Sequence, residues 1–158
     1  MWEKKENWFQ KNNGGFMKIY FGHSRMTYDT PAEREAIKII RLYYPEPIEI
    51  VNPNTPEHQT NCLKDIDDPS KGKEIHYFLR LCNDCAVGTF LQYYPDKWSA
   101  GSAAEANHML NSLGRPVLRV NLALSFLSPV TKLVQAYSFE ETYDMLAQSS
   151  IKGYEKRR

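Results

Sequence analysis

The chain has 158 residues, 42% of them hydrophobic, and a formal charge of +1. This suits one domain with a sizeable core and excludes a disordered chain, while the near-neutral balance gives no electrostatic footprint for nucleic acid. No apolar run is long enough to span a bilayer, the start lacks a secretory-signal pattern, and three cysteines are too few for a disulfide framework, so the expected location is the cytoplasm with no membrane partner.

Residues 1–16 are polar and punctuated by Asn12-Asn13-Gly14-Gly15, with Trp2, Trp8 and Phe9 among the few large apolar groups. They read as an appended arm before a domain over 17–150. Residues 17–22, Met-Lys-Ile-Tyr-Phe-Gly, have the β-branched and aromatic content of a buried strand stopped by glycine. A loop over 23–29 follows; His23 in it is read as a solvated loop histidine, with contact to a ligand as the alternative. Thr30-Pro31-Ala32-Glu33 is a capping box with proline at the first helical position, and Ala36, Ile37, Ile40 and Leu42 carry the helix on toward Pro45.

Residues 47–51 form the second expected strand. From 52 to 73 the chain is polar, with Asp65, Asp67 and Asp68, and reads as a long loop acting as a lid or binding segment. Helical spacing of Ile75, Phe78, Leu79 and Cys82 predicts a second helix over 73–81, followed by a third strand over 84–90. Cys82 and Cys85, with His58 and Cys62, can be drawn as a zinc site, but buried free thiols are the simpler reading and no metal is expected.

The stretch 94–105 then runs from strand end into helix. Small residues at Ala100, Gly101, Ser102, Ala103 and Ala104 permit close approach to the backbone, and a helix start of this kind offers amides to an anion. Glu105, in the first turns, would be favoured as a carboxylate by the helix dipole, as a nucleophile requires. The same pattern is also an ordinary helix start. The helix is expected to reach Leu113, with Gly114 as C-cap, before a fourth strand over 116–121. The apolar stretch 122–129 reads as irregular, 132–136 as a short fifth strand, and Ser138-Phe139-Glu140-Glu141 as a capping box opening a helix to Gln148. Residues 151–158 are a basic tail.

Strands alternating with helices predict a flavodoxin-like, Rossmann-type α/β fold: a five-stranded parallel sheet of order 2-1-3-4-5 with helices on both faces. Ligands of such sheets sit beyond the carboxyl ends of the strands at the switch point, here beside Gly22 and the helix of Glu105.

Ile19-Tyr20-Phe21-Gly22, Asn83-Asp84 before a strand containing Gly88, Pro95-Asp96, Ser99-x-Gly101-x-x-x-Glu105 and Gly114-Arg115-Pro116-Val117 together resemble the nucleoside 2-deoxyribosyltransferases and the similar 2′-deoxynucleoside 5′-phosphate N-hydrolases. The resemblance covers roughly residues 17–120. It implies that Glu105 is the nucleophile, that Tyr20 orients its carboxylate, and that Asp84 binds the nucleoside and handles the proton on the leaving base. It also implies a glycosyl-enzyme intermediate, no cofactor, a nucleoside or nucleotide as partner, and assembly as a homodimer or larger homo-oligomer.

Two positions depart from the pattern. Ser99 stands where the transferases carry an aspartate, and is similar to a phosphate-contacting serine of the hydrolases, which shifts the expectation toward 5′-monophosphates and hydrolysis. Glu105 also lies one residue further from Gly114 than in the relatives. Ser24 and Arg25 resemble the hydrolases' phosphate loop with a one-residue shift, and Gly22, Gly101 and Ser102 complete the expected substrate-binding set. A non-catalytic nucleotide sensor on the same fold is the alternative.

Overall fold

The computed structural model describes residues 16–44 and 47–148; the expected arm, apart from Phe16, and the basic tail lie outside them. Strands β1 (Met17–His23), β2 (Ile48–Val51), β3 (Val87–Leu91), β4 (Val117–Asn121) and β5 (Phe126–Pro129) form one sheet in the order β2-β1-β3-β4-β5. This is the expected α/β order. The first four strands pair in parallel, whereas β5 runs antiparallel to β4.

The fifth strand therefore falls on 126–129 and not on 132–136. The reason is the tight connection: Asn121 Oδ1 accepts from Leu124 N at 3.0 Å and Ser125 takes a left-handed φ of 53°. Four residues can join antiparallel neighbours, but a parallel pair needs a longer crossover. Residues 132–136 run beside the connection that leaves β3 instead, bridging Trp98 to Ala136.

Five α-helices accompany the sheet among the described residues: α1 (Pro31–Tyr43), α2 (Pro56–Ile66), α3 (Glu74–Asn83), α4 (Ala100–Asn107) and α5 (Phe139–Gln148). The expected caps form at α1, where Thr30 Oγ1 accepts from Glu33 N, and at α5, where Ser138 and Glu141 exchange hydrogen bonds. The long loop expected over 52–73 is largely α2 and a short 3₁₀ turn, Pro69–Lys71. Its Thr55-Pro56 start repeats that of α1, but α2 buries only Cys62, so its sequence carries no apolar stripe.

Strand alternation distributes β1 between two cores. Ile19 and Phe21 pack with Ala36, Ile39 and Ile40 of α1, while Tyr20 packs on the other face with Cys82, Ala103, Ala106 and Met109. Tyr20 is thereby delivered to the face that carries α4. Beyond Asn107 the helix continues as a π turn, His108–Ser112, and Gly114 closes it at φ 61°. A π turn absorbs one extra residue, and because it follows Glu105 it leaves the α-helical phase from Ser99 to Glu105 intact. No helix among the described residues is long and apolar enough to cross a membrane.

Candidate active site

Where β1 ends and α4 begins, a crevice encloses about 630 Å³, part of it open to solvent. Gly101, Ser102 and Glu105 stand three and four residues apart on α4, so one helix face presents all of them to the crevice. Ser24 and Arg25 approach from the end of β1, and Ser99 from the residue before α4.

Glu105 is 5% exposed, and the Tyr20 hydroxyl donates to its Oε2 at 2.6 Å. Tyr20 itself is wholly buried, and burial and the Glu105 carboxylate hold its hydroxyl proton well above the ordinary tyrosine range. Burial pushes the Glu105 carboxyl up to about 8, against the lowering pull of the Tyr20 hydrogen bond and the Arg25 guanidinium. The expectation that the helix start favours its ionised form is thus corrected. Glu105 is the sixth residue of α4, beyond the first turn where the dipole is felt, and loss of water dominates.

Two expected residues are elsewhere. Asp84 caps the C-terminus of α3, three residues before β3 starts, so it lies at the amino end of the sheet. Asp84 is not among the residues that line the crevice. Gly22 is buried and serves packing: a Cβ there would stand 2.3 Å from Phe90 Cε1. It makes room for the Phe90 ring and does not line the crevice.

His23, expected to be solvated, is 6% exposed and lines the crevice. Its Nε2 meets Glu33 Oε2 at 2.6 Å, and its ring stacks on Phe21 with centroids 4.1 Å apart. Glu33 also accepts from Asn54 Nδ2 at 2.9 Å and from Asp29 N at 3.2 Å. Burial works against the Glu33 carboxylate, but these hydrogen bonds outweigh it and hold its pKa below the ordinary range. The network pins the ends of β1 and β2 together at the rim.

Sequence reasoning missed the opposite wall. Glu74, the first residue of α3, pairs with Arg25, and both side chains are largely buried. Ile75, Phe78, Phe139, Tyr143 and Leu146 supply an apolar half, much of it from α5. Thr142 Oγ1 fixes α5 there by accepting from Ala100 N at 3.0 Å. Nothing near Glu74 in the chain marks it, because an acidic residue at a helix start is ordinary. Asn107 and His108 both turn away, to Val134 and Asn83. Cys62, Cys82 and Cys85 are buried and form no disulfide, and no group of three or more His, Cys, Asp or Glu among the described residues is placed to hold a metal ion.

Comparison with protein-family models, with curated proteins and with solved structures gives no match to this chain.

Proposed function

We propose that the protein cleaves or transfers the N-glycosidic bond of nucleosides or their 5′-monophosphates, with Glu105 as the nucleophile. The observation that carries this is the buried Glu105 carboxyl at the crevice, oriented through Oε2 by the Tyr20 hydroxyl. A crevice with a polar half around Glu105 and an aromatic and aliphatic half around Phe78, Phe139 and Tyr143 suits a molecule that is part sugar and part planar base.

The chemistry follows from these roles. With Tyr20 engaging Oε2, Oε1 attacks C1′ of the sugar as the C1′–N bond breaks. The bond's electron pair passes to the base nitrogen, which takes up a proton from solvent water, and the sugar remains as an ester on Glu105. Water, or a second base, then attacks C1′ and the Glu105 carboxylate leaves. No step requires a metal or organic cofactor.

A carboxyl titrating at about 8 is ionised in roughly one tenth of free molecules at pH 7. Nucleophilic Glu105 therefore makes kcat/KM rise with pH up to about 8, since that ratio reports the free enzyme. The same raised pKa favours a second reading, in which neutral Glu105 protonates the leaving base directly. In that case kcat/KM falls as pH passes 8.

The deciding experiment is chromatographic detection of free base from a panel of ribo- and deoxyribonucleosides and their 5′-monophosphates, with and without a second base, for the native chain and Glu105→Gln. Base release abolished by Glu105→Gln supports the proposal, and a trapped glycosyl ester separates nucleophile from acid. Binding with no release from any member of the panel overturns it in favour of a nucleotide sensor.

A further inference from the structure

The crevice contains the parts of an anion subsite, with a carboxylate of the protein already in it. The first turn of α4 leaves the amides of Gly101 and Ser102 without intrahelical partners, and Ser99 makes no side-chain cap over them. Ser102 Oγ is buried without a hydrogen-bond partner, in a residue 5% exposed that lines the same crevice. Arg25, with its guanidinium also 5.8 Å above the Tyr28 ring, is the cation on this wall, and its guanidinium is bonded to Glu74.

From this we infer that Glu74 acts as an internal stand-in for a phosphate, holding Arg25 and barring phosphorylated ligands. Within the proposed function, on which this step rests, the substrate is then a nucleoside with an uncharged 5′ end. Ser99 alone pointed toward monophosphates; the Arg25–Glu74 pair weighs the other way.

The electrostatic reason is direct. Arg25 and Glu74 cancel each other, and Glu105 holds its proton up to about 8, so the crevice offers a dianion little uncompensated positive charge at neutral pH. A phosphate seated on Arg25 would also lie against the Glu74 carboxylate, and like charges so placed in a partly desolvated site disfavour binding strongly. A nucleoside hydroxyl meets no such penalty, since it can donate to Glu74.

The test uses the full chain and two readouts. Melting temperature is followed against inorganic phosphate, nucleosides and the matching 5′-monophosphates for the native protein, Glu74→Gln, and Glu74→Gln combined with Arg25→Gln. The native protein is expected to ignore phosphate and to prefer nucleoside to monophosphate by roughly 100-fold or more, as a like-charge contact of a few kcal/mol implies. Glu74→Gln should bring monophosphate to within about tenfold and confer stabilisation by inorganic phosphate, which the added Arg25→Gln removes.

Native protein that binds monophosphate as tightly as nucleoside overturns the inference, and this needs no variant to fold. So does a folded Glu74→Gln that gains no response to phosphate. Phosphate uptake by Glu74→Gln in a protein that binds no nucleoside upholds the masked anion subsite while refuting the glycosidic reading, so the two failures are distinguishable.

Discussion

Replacing Glu105 by Gln keeps the shape and an amide oxygen to accept the Tyr20 proton, and removes only the ability to ionise. Burial raises the carboxyl from its ordinary 4.5 to about 8. At about 1.4 kcal/mol per pKa unit, the penalty on the ionised form comes to roughly 5 kcal/mol. Between those two values the folded state keeps a proton that the unfolded state has lost, so the native protein is destabilised as pH rises, and the loss is complete above about 8. For a domain whose whole stability is of order 5–15 kcal/mol, that is a large fraction. Urea denaturation of both proteins from pH 4 to 9 should show Glu105→Gln gaining on the native chain by about 1.4 kcal/mol per pH unit through the middle of this range, then levelling off. A stability difference independent of pH would mean that Glu105 titrates in the folded protein as it does in the unfolded chain, and the burial argument would be wrong.

Tyr20→Phe removes the hydrogen bond that lowers the Glu105 carboxyl, so the rising limb of kcat/KM should move up by about one pH unit, with about a tenfold loss at pH 7 that shrinks at high pH. Two glycines should separate packing from binding by paired urea and ligand titrations. Gly22→Ala drives a Cβ into the buried Phe90 ring and should cost about 1–3 kcal/mol, whereas a Cβ at Gly101 meets no heavy atom within 4 Å. Gly101→Ala is expected to leave stability unchanged or raise it by up to about 1 kcal/mol while weakening nucleoside binding. Glu33→Gln strips the charge from the network of His23 and Asn54 and should cost about 1–3 kcal/mol near neutral pH. Because the native Glu33 titrates below its ordinary range, its contribution is present above that range and lost as pH falls through it. The stability gap between native and variant should therefore close in acid.

The sheet order, strands β1 to β4, helices α1, α3, α4 and α5 and the place of Glu105 on α4 were legible in the sequence because each rests on a local rule. Thr30-Pro31 and Ser138 cap helices wherever they fold, Gly114 takes the left-handed φ that ends one, and alternating strands and helices restrict the sheet to few orders. Strand direction also decides Asp84: a residue before β3 lies at the amino end of the sheet, and only the resemblance drew it toward the site. What the sequence could not supply depends on meetings between distant segments or on the absence of a pattern. Helix α2 was hidden because it buries one residue, and β5 because a tight turn set its direction. Arg25 and Glu74 are 49 positions apart, and α5 reaches the crevice through Thr142, 42 positions from its partner. Above all, the ionisation of Glu105 was decided by tertiary structure. Its neighbours on the helix argue for a carboxylate, but the free energy of its charge is set by how much water the packed fold removes.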